Sequence, residues 1–317
     1  MGELRKDYIL DEWVIIASAR GKRPHEFKAE EGGAVSGKSC FFCPGNEDKT
    51  PEEIYRLEDK KGGWKVRVFP NKFPAETLEG QHEIQTHNKY YTFSSSYGEH
   101  EVVVETPDHK KQLWDLSVKE YIDILKVFDM RIRELEKLPN IKYVNVFKNH
   151  GSKAGTSLVH SHSQIIACNI LNQNVEQEMK AIKNYDSCPY CEIIESEKKS
   201  DRRCFENNGF VAFCPYASKF NFELWILPKK HITRLEQLDE QGYKDLAELY
   251  RKALKKLKKL NASYNTFFHY SPDSGNLHLR LVIAPRMSVR AGFEFSTDIL
   301  ITAMPPEEAA KFYRGET

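Results

Sequence analysis

In the run GTSLVHSHSQIIAC, His160 and His162 stand two residues apart and Gln164 two further on, in a chain with 11 histidines. Leu158-Val159 before them and Ile165-Ile166 after them are apolar and β-leaning, which predicts a strand. On a strand, residues i, i+2 and i+4 share one face at intervals of about 6.5–7 Å. The three polar groups then line one side, and Ser161 and Ser163 the other. Imidazole and amide groups in a row on a buried face each need a hydrogen-bonding partner or a metal. A half-exposed polar strand is the plain alternative. The chemical reading is a metal ligand beside a free imidazole, and a free neutral imidazole is a nucleophile or a general base.

Four of the seven cysteines fall in two C-x-x-C pairs, Cys40/Cys43 in CFFC and Cys188/Cys191 in CPYC. Two cysteines so spaced clamp Zn²⁺ from one tight turn, and two histidines from distant strands complete a tetrahedral shell. Buried thiols or a redox pair are the alternatives for a single such pair. The repetition predicts two zinc sites, one from Cys40, Cys43, His109 and His160, the other from Cys188, Cys191, His231 and His278. With His160 on metal its strand is pinned, and His162 on the same face is fixed but unliganded. After His278 the equivalent positions are Arg280 and Val282. The metal histidine is kept there while the free histidine and the glutamine are lost, so one set reads as chemical and the other as structural. His25, His82, His87, His100, His150 and His269 have no repeated counterpart and read as surface or core residues. Cys168, Cys204 and Cys214 read as core thiols.

The elements that must position these groups come in one order, twice. After CFFC follow WKVRVFPNKFP, then EHEVVVETPDH ending at His109, an amphipathic helix SVKEYIDILKVFDMRIRELEKL, the strand YVNVFKN and the strand carrying His160. After CPYC follow FVAFCPYASKF, FELWILPKKH ending at His231, the helix QGYKDLAELYRKALKKLKKL, the strand YNTFFHYSP and NLHLRLVIAP carrying His278. Tyr121, Ile124, Leu125, Phe128, Ile132 and Leu135 hold helical spacing in the first helix. Leu254, Leu257 and Leu260 do so in the second, which makes its lysines a solvated face. The matched order predicts an internal duplication, residues 1–170 and 171–317, joined through a helix in NILNQNVEQEMKAIKNYDS.

Composition bounds the rest. A chain of 317 residues with 40% hydrophobic and 29% charged residues describes a soluble globular protein of one large domain or two. A net charge of +1 gives no electrostatic case for nucleic acid or an anionic membrane. The opening MGELRKDYILDEWVIIASAR is mixed rather than basic-then-apolar, so no signal peptide is expected. No run of 18 apolar residues suggests a membrane span. An odd cysteine count with C-x-x-C pairs favours cytoplasmic thiols and metal over disulfides.

Taken together, the C-x-x-C pairs, PNKFPA, PDH, FKNHGSKAGTSLVHSHSQ and the second CPYC with WILPKKH resemble the galactose-1-phosphate uridylyltransferase family, from about Arg20 to about Glu308. That family is a branch of the histidine-triad superfamily. The resemblance implies an α+β fold of two triad-like halves, each a mainly antiparallel sheet with a packed helix, merged into one extended sheet, and it implies a homodimer. It makes His162 the nucleophile that takes up a nucleoside monophosphate and Gln164 the residue that hydrogen-bonds the transferred phosphoryl group. It places Asn149 and Ser157 on phosphate oxygens and Arg20 and Arg23 near the phosphates. Asn71, with Phe42 and Phe69, falls at the nucleoside pocket, and Gly292, Phe293 and Glu294 at a sugar-contacting turn. The sequence departs from the better-known members in Ser161, where they carry proline, and in Ser288 and Leu300, where they carry a lysine and a glutamine that contact the hexose. The implied reaction is UDP-glucose plus galactose 1-phosphate giving UDP-galactose and glucose 1-phosphate, by ping-pong through a nucleotidyl-histidine. H-S-H-S-Q also resembles relatives that are nucleotide-sugar phosphorylases, taking ADP-glucose with phosphate as acceptor. A nucleotide hydrolase and a two-zinc binding module are the remaining rivals.

Overall fold

The computed structural model describes residues 2–22, 40–272 and 275–316. Two short strands, β1 (Glu3–Lys6) and β2 (Trp13–Ile16), open the chain. The first half then supplies β3 (Tyr55–Glu58), β4 (Trp64–Pro70), a small hairpin of β5 (Gln85–His87) and β6 (Tyr91–Phe93), β7 (Gly98–Val104), helix α1 (Val118–Leu135), β8 (Tyr143–His150) and β9 (His162–Cys168). Helices α2 (Gln173–Ile182) and α3 (Pro189–Glu197) lead into β10 (Arg203–Glu206), β11 (Phe210–Phe213), β12 (Leu224–Pro228), α4 (Glu240–Lys258), β13 (Tyr264–His269) and β14 (Arg280–Pro285). The chain closes with α5 (Gly292–Thr297), β15 (Leu300–Thr302) and α6 (Pro306–Arg314).

Ten of these strands form one sheet in the order β10-β11-β12-β14-β13-β8-β9-β7-β4-β3, antiparallel at every step. Read outward from its centre, β8-β9-β7-β4-β3 repeats as β13-β14-β12-β11-β10. The two copies meet at β8 and β13, from Tyr264↔His150 to Phe267↔Phe147. This is the α+β architecture with one extended sheet expected of a duplicated unit; β1, β2 and β15 form a separate three-stranded sheet.

Helices α1 and α4 cover one face. Ser117 caps α1 by accepting from Glu120 N–H, and Glu120 returns the bond to Ser117 N–H, the reciprocal pairing that satisfies two orphan donors. Tyr121, Ile124, Leu125, Phe128, Ile132 and Leu135 are all buried, as their spacing requires. In α4, Leu254 and Leu257 are buried, and Lys255, Lys256 and Lys258 sit in the last turn, where cations suit the helix dipole. Phe128 meets Phe268, and the Tyr250 hydroxyl meets Thr266, so even-numbered residues of β13 face the helices. Odd-numbered residues of β8 and β13 face away, and cross-strand pairing puts His162, Gln164, Ile166 and Cys168 with them. His162 and Gln164 therefore lie on the face opposite the helices.

The structure revises where the ligand histidines sit. His160 and His278 lie two residues before β9 and β14, and His109 and His231 lie beyond the ends of β7 and β12, so none is on a strand. Helix α3 starts inside the second C-x-x-C, with Cys188 as N-cap and Pro189 in the first turn, a position proline favours. No disulfide links the seven cysteines. Among the described residues no helix is long and apolar enough to cross a membrane.

Candidate active site and metal centres

Cys40, Cys43, His109 and His160 bring one donor atom each to within 4.8 Å of one another, and so do Cys188, Cys191, His231 and His278. In the first set Cys43 Sγ lies 3.4 Å from His109 Nδ1, and Cys40 Sγ 3.5 Å from His160 Nδ1. In the second, Cys191 Sγ lies 3.7 Å from His231 Nδ1, and Cys188 Sγ 3.8 Å from His278 Nδ1. Metal–sulfur and metal–nitrogen bonds of 2.0–2.3 Å in a tetrahedron put such donors about 3.5 Å apart, so both sets fit one tetrahedral cation. The outer contacts agree. His160 Nε2–H donates to the Thr106 carbonyl at 2.7 Å, and His278 Nε2–H to the Pro228 carbonyl at 2.8 Å. A carbonyl on one ring nitrogen fixes the tautomer and aims the other nitrogen's lone pair at the metal. Burial, then the adjacent Cys40 thiol, push Cys43 up to about 11. Two thiolates this close would need a cation between them to be deprotonated together.

His162 stands at the start of β9, 7% exposed. Its Nδ1–H donates to the His160 carbonyl at 2.8 Å, which leaves the lone pair of the neutral ring on Nε2. Burial, with Lys148 behind it, lowers the imidazole to about 4, so the ring is uncharged at neutral pH. Phe42, from the turn of the first C-x-x-C, sets its ring 5.3 Å from His162, 6.2 Å from His160 and 5.6 Å from Phe69.

Gln164 is fixed through a residue that sequence reasoning left among surface and core histidines. His100, on β7, accepts on Nδ1 from Ala75 N–H at 3.1 Å. The ring proton is then on Nε2, and it goes to Gln164 Oε1 at 2.8 Å. Asn71 packs its amide nitrogen 3.1 Å from the same His100 Nε2, while its Oδ1 accepts from Phe73 N–H. The signal available in the sequence was strand alternation alone: His100 shares the site face of β7 with Val102 and Val104, opposite Ile166, Gln164 and His162.

Ahead of the start of β9, a cavity of about 390 Å³ is lined by His162, Asn149, Ser157, Trp114, Ser152 and Ser263 among others. The loop that shapes it turns on Gly151, whose φ is +83° and whose missing Cβ would lie 2.0 Å from Ser263 Oγ. No other residue fits both conditions. Asn149 Oδ1 accepts from Asn265 Nδ2 at 2.8 Å across the seam between the two copies.

His162, Gln164, Phe42, Phe69, Asn71, Asn149 and Ser157 are thus brought together. Phe293 and Glu294 are not. They lie on the short helix α5, where Glu294 accepts from Ala291 N–H. Glu294 lines a separate cleft with Lys219, Arg286, Ser288 and Leu300. Arg20 is half-buried on the 3₁₀ turn Ser18–Lys22, and Arg23 lies outside the described residues.

In the second copy, Arg280 takes the place of His162 and Tyr190 that of Phe42. The Arg280 guanidinium bonds Glu178 at 2.7 Å and the Tyr190 hydroxyl at 2.8 Å, and lies 4.1 Å from the Trp225 ring centroid. Its two terminal nitrogens are committed to neighbours, so this place is filled rather than open.

A model of the galactose-1-phosphate uridyl transferase N-terminal domain matches residues 2–172, and a model of a domain of unknown function, DUF4921, matches residues 98–312. ADP-glucose phosphorylase of Arabidopsis thaliana is 36% identical over 98% of this chain and 92% of its own length. Galactose-1-phosphate uridylyltransferase of Thermotoga maritima is 28% identical over 99% of this chain and 98% of its own. Among solved structures, the Arabidopsis ADP-glucose phosphorylase with bound ADP-glucose superposes with a TM-score of 0.85 at 34% identity, covering 99% of this chain and 98% of that one. A uridylyltransferase structure superposes with a TM-score of 0.76 at 27% identity, covering 99% and 98%.

Proposed function

The chain belongs to the galactose-1-phosphate uridylyltransferase family, and on that premise we propose that it moves a uridylyl group from UDP-glucose to galactose 1-phosphate through His162. The observation that carries the reading is the hydrogen bond from His162 Nδ1–H to the His160 carbonyl. It aims a neutral Nε2 lone pair outward and stabilises the cationic ring once Nε2 is nucleotidylated. Nε2 attacks the α-phosphorus; the bond from that phosphorus to the bridging oxygen breaks, and glucose 1-phosphate leaves with the electron pair. Galactose 1-phosphate then attacks the same phosphorus and releases neutral His162.

Gln164, its oxygen held by His100, keeps its NH₂ group for a phosphoryl oxygen. An amide has no proton to titrate near neutral pH, but a phosphate leaves as a stable anion and needs no general acid. Phe42, Phe69 and Asn71 are the nucleoside pocket of this reading, Asn149 and Ser157 hold phosphate oxygens, and Arg20 and Arg23 neutralise them. Both Cys₂His₂ sets hold zinc. A closed shell leaves no position for substrate, so the metal's part is to fold the chain around His160 and His278. Residues 1–170 form the catalytic copy and 171–317 the structural one. The protein is a cytoplasmic homodimer with nucleotide sugars and sugar 1-phosphates as partners, and neither nucleic acid nor membrane; the net charge of +1 supports the last point.

A second reading, adenylyl transfer from ADP-glucose to phosphate, is favoured by the higher identity to the Arabidopsis phosphorylase. Intact-mass analysis after incubation with UDP-glucose or ADP-glucose separates the two. A uridylyl adduct that is lost on adding galactose 1-phosphate, and absent in His162→Ala, is the expected result. An adenylyl adduct discharged by phosphate instead installs the second reading. No adduct with either sugar nucleotide removes the covalent mechanism.

A further inference from the structure

What aims the nucleophile can be read from the strand that carries it, on the premise that His162 is the nucleophile. Strand β8 stops pairing with β9 after Phe147↔Gln164, yet continues with β13 as far as His150. On the other side β7 stays with β9 to Val104↔His162. Main-chain groups of an antiparallel strand point alternately to its two neighbours. The Ser161 carbonyl accepts from Glu105 N–H on the β7 side at 3.2 Å, so the His162 carbonyl faces the side that β8 has left. A buried carbonyl without a donor is costly. Here the donor is a side chain: Lys148 Nζ lies 2.9 Å from the His162 carbonyl oxygen.

All three N–H bonds of that ammonium are committed. The other two go to Glu105 Oε2 at 2.6 Å and Ser161 Oγ at 3.1 Å. Glu105 in turn accepts from Ser161 on Oε2 and from Ser163 on Oε1, each at 2.5 Å. Lys148, Glu105, Ser161 and Ser163 are each only 2% exposed. A charged pair in a core must recover a large desolvation cost, and an apolar filling of the same volume is often as stable or more so.

The second copy shows that the fold accepts the apolar filling. By register, Phe268 stands for Lys148, Leu279 for Ser161 and Leu281 for Ser163, all buried. There the ladder also closes two pairs further, through Phe268↔Leu281 to His269↔Arg280. The open ladder end and the polar cluster occur together, on the side that carries the free histidine.

We infer that Lys148, locked in place by Glu105, is the positioning residue of the nucleophile. It holds the main chain of His162 where the ladder ends, and with the His160 carbonyl it sets the direction of Nε2.

Lys148→Met combined with Glu105→Gln removes both charges together, so no unpaired ion is buried. In rapid mixing of the full-length protein with the sugar nucleotide that labels wild type, the rate of nucleotidyl-histidine formation is expected to fall by about 30-fold or more, since a misaimed group loses rate in this range. The apparent affinity for the sugar nucleotide changes by less than about threefold, because binding in the ground state is untouched. Glu105→Gln alone, which leaves a donor on the His162 carbonyl, loses less rate than the double variant. A folded double variant at wild-type rate overturns the inference, as does loss of rate that merely follows loss of stability across the two variants. If the double variant does not fold, a crystal structure of wild type with the sugar nucleotide bound decides. Lys148 Nζ within about 3.2 Å of the His162 carbonyl oxygen supports the assignment, and a separation beyond about 3.5 Å ends it. Labelling that persists in His162→Ala is a different failure: it removes the nucleophile, not its positioning.

Discussion

A chain of three hydrogen-bonded groups decides what Gln164 offers to a phosphoryl group. Ala75 N–H takes His100 Nδ1, His100 Nε2–H takes Gln164 Oε1, and the glutamine is left with donors only. Such an amide steadies a phosphoryl oxygen but cannot pass a proton to or from water. A histidine at this position, protonated for part of the time, does both. Gln164→His is therefore expected to shorten the lifetime of the nucleotidylated protein in the absence of acceptor by about tenfold and to slow transfer, since acid–base assistance is worth at least that much. The mass of the labelled protein followed over time reads the outcome, and an adduct as durable as in wild type would count against it. His162 and Gln164 were legible as a pair on one face because their spacing is that of a strand, and His160 because it pairs with a C-x-x-C motif, although it lies two residues before β9. His100 was not, because its role rests on a backbone amide 25 residues away in sequence and on a cross-strand neighbour, neither of which leaves a local pattern.

At the scale of elements, α2 is tied to the second copy through one carboxylate. Glu178 accepts from Arg280 of β14 at 2.7 Å, His269 of β13 at 2.8 Å and Tyr190 of α3 at 2.6 Å. Burial alone would raise this carboxyl, but the Arg280 charge and then His269 outweigh it and hold it well below the ordinary carboxylate range. A folded-state value below the unfolded one means the stabilisation is present above the unfolded value, about 4.3, and fades as pH falls through that range and below. Glu178→Gln is expected to lose about 3–5 kcal/mol at pH 7, the cost of stranding a buried partner, and to differ less from wild type at pH 4 than at pH 7. Urea unfolding at the two pH values tests this; an equal difference at both would show that Glu178 is not the group titrating. Helices α1 and α4 were legible because 18 and 19 residues carry a full apolar stripe. Helix α3 was not, because its nine residues begin within a metal-binding motif and give too short a period. The ligand histidines were expected on strands and lie off them for a reason of reach. A strand side chain stands perpendicular to the sheet, whereas a loop lets Nε2 meet a carbonyl while Nδ1 meets the thiols.

Across the whole molecule, one continuous sheet carries two Cys₂His₂ sets that share a geometry and differ in what lies beside them. The first fixes His160, whose carbonyl takes the His162 Nδ1–H. The second fixes His278, two residues from an arginine already committed to Glu178, Tyr190 and Trp225. The repeat made this division readable from sequence. It did not reveal the three-stranded sheet in which β15 returns to pair parallel with β2, since strands of three and four residues carry no usable period. Elemental analysis is expected to find two zinc per chain, and Cys40→Ser and Cys188→Ser each to retain one. Both variants lose stability, because a structural metal contributes its binding free energy to folding. Only Cys40→Ser should abolish the covalent adduct in protein that still unfolds cooperatively, since only that centre holds the carbonyl behind the nucleophile. Cys188→Ser, compared per folded molecule by adduct mass and a thermal melt, should label within about threefold of wild type, as distant and independent sites do. If it labels no better than Cys40→Ser, the second centre reaches the chemistry through the β8–β13 seam, and the division into a catalytic and a structural copy fails.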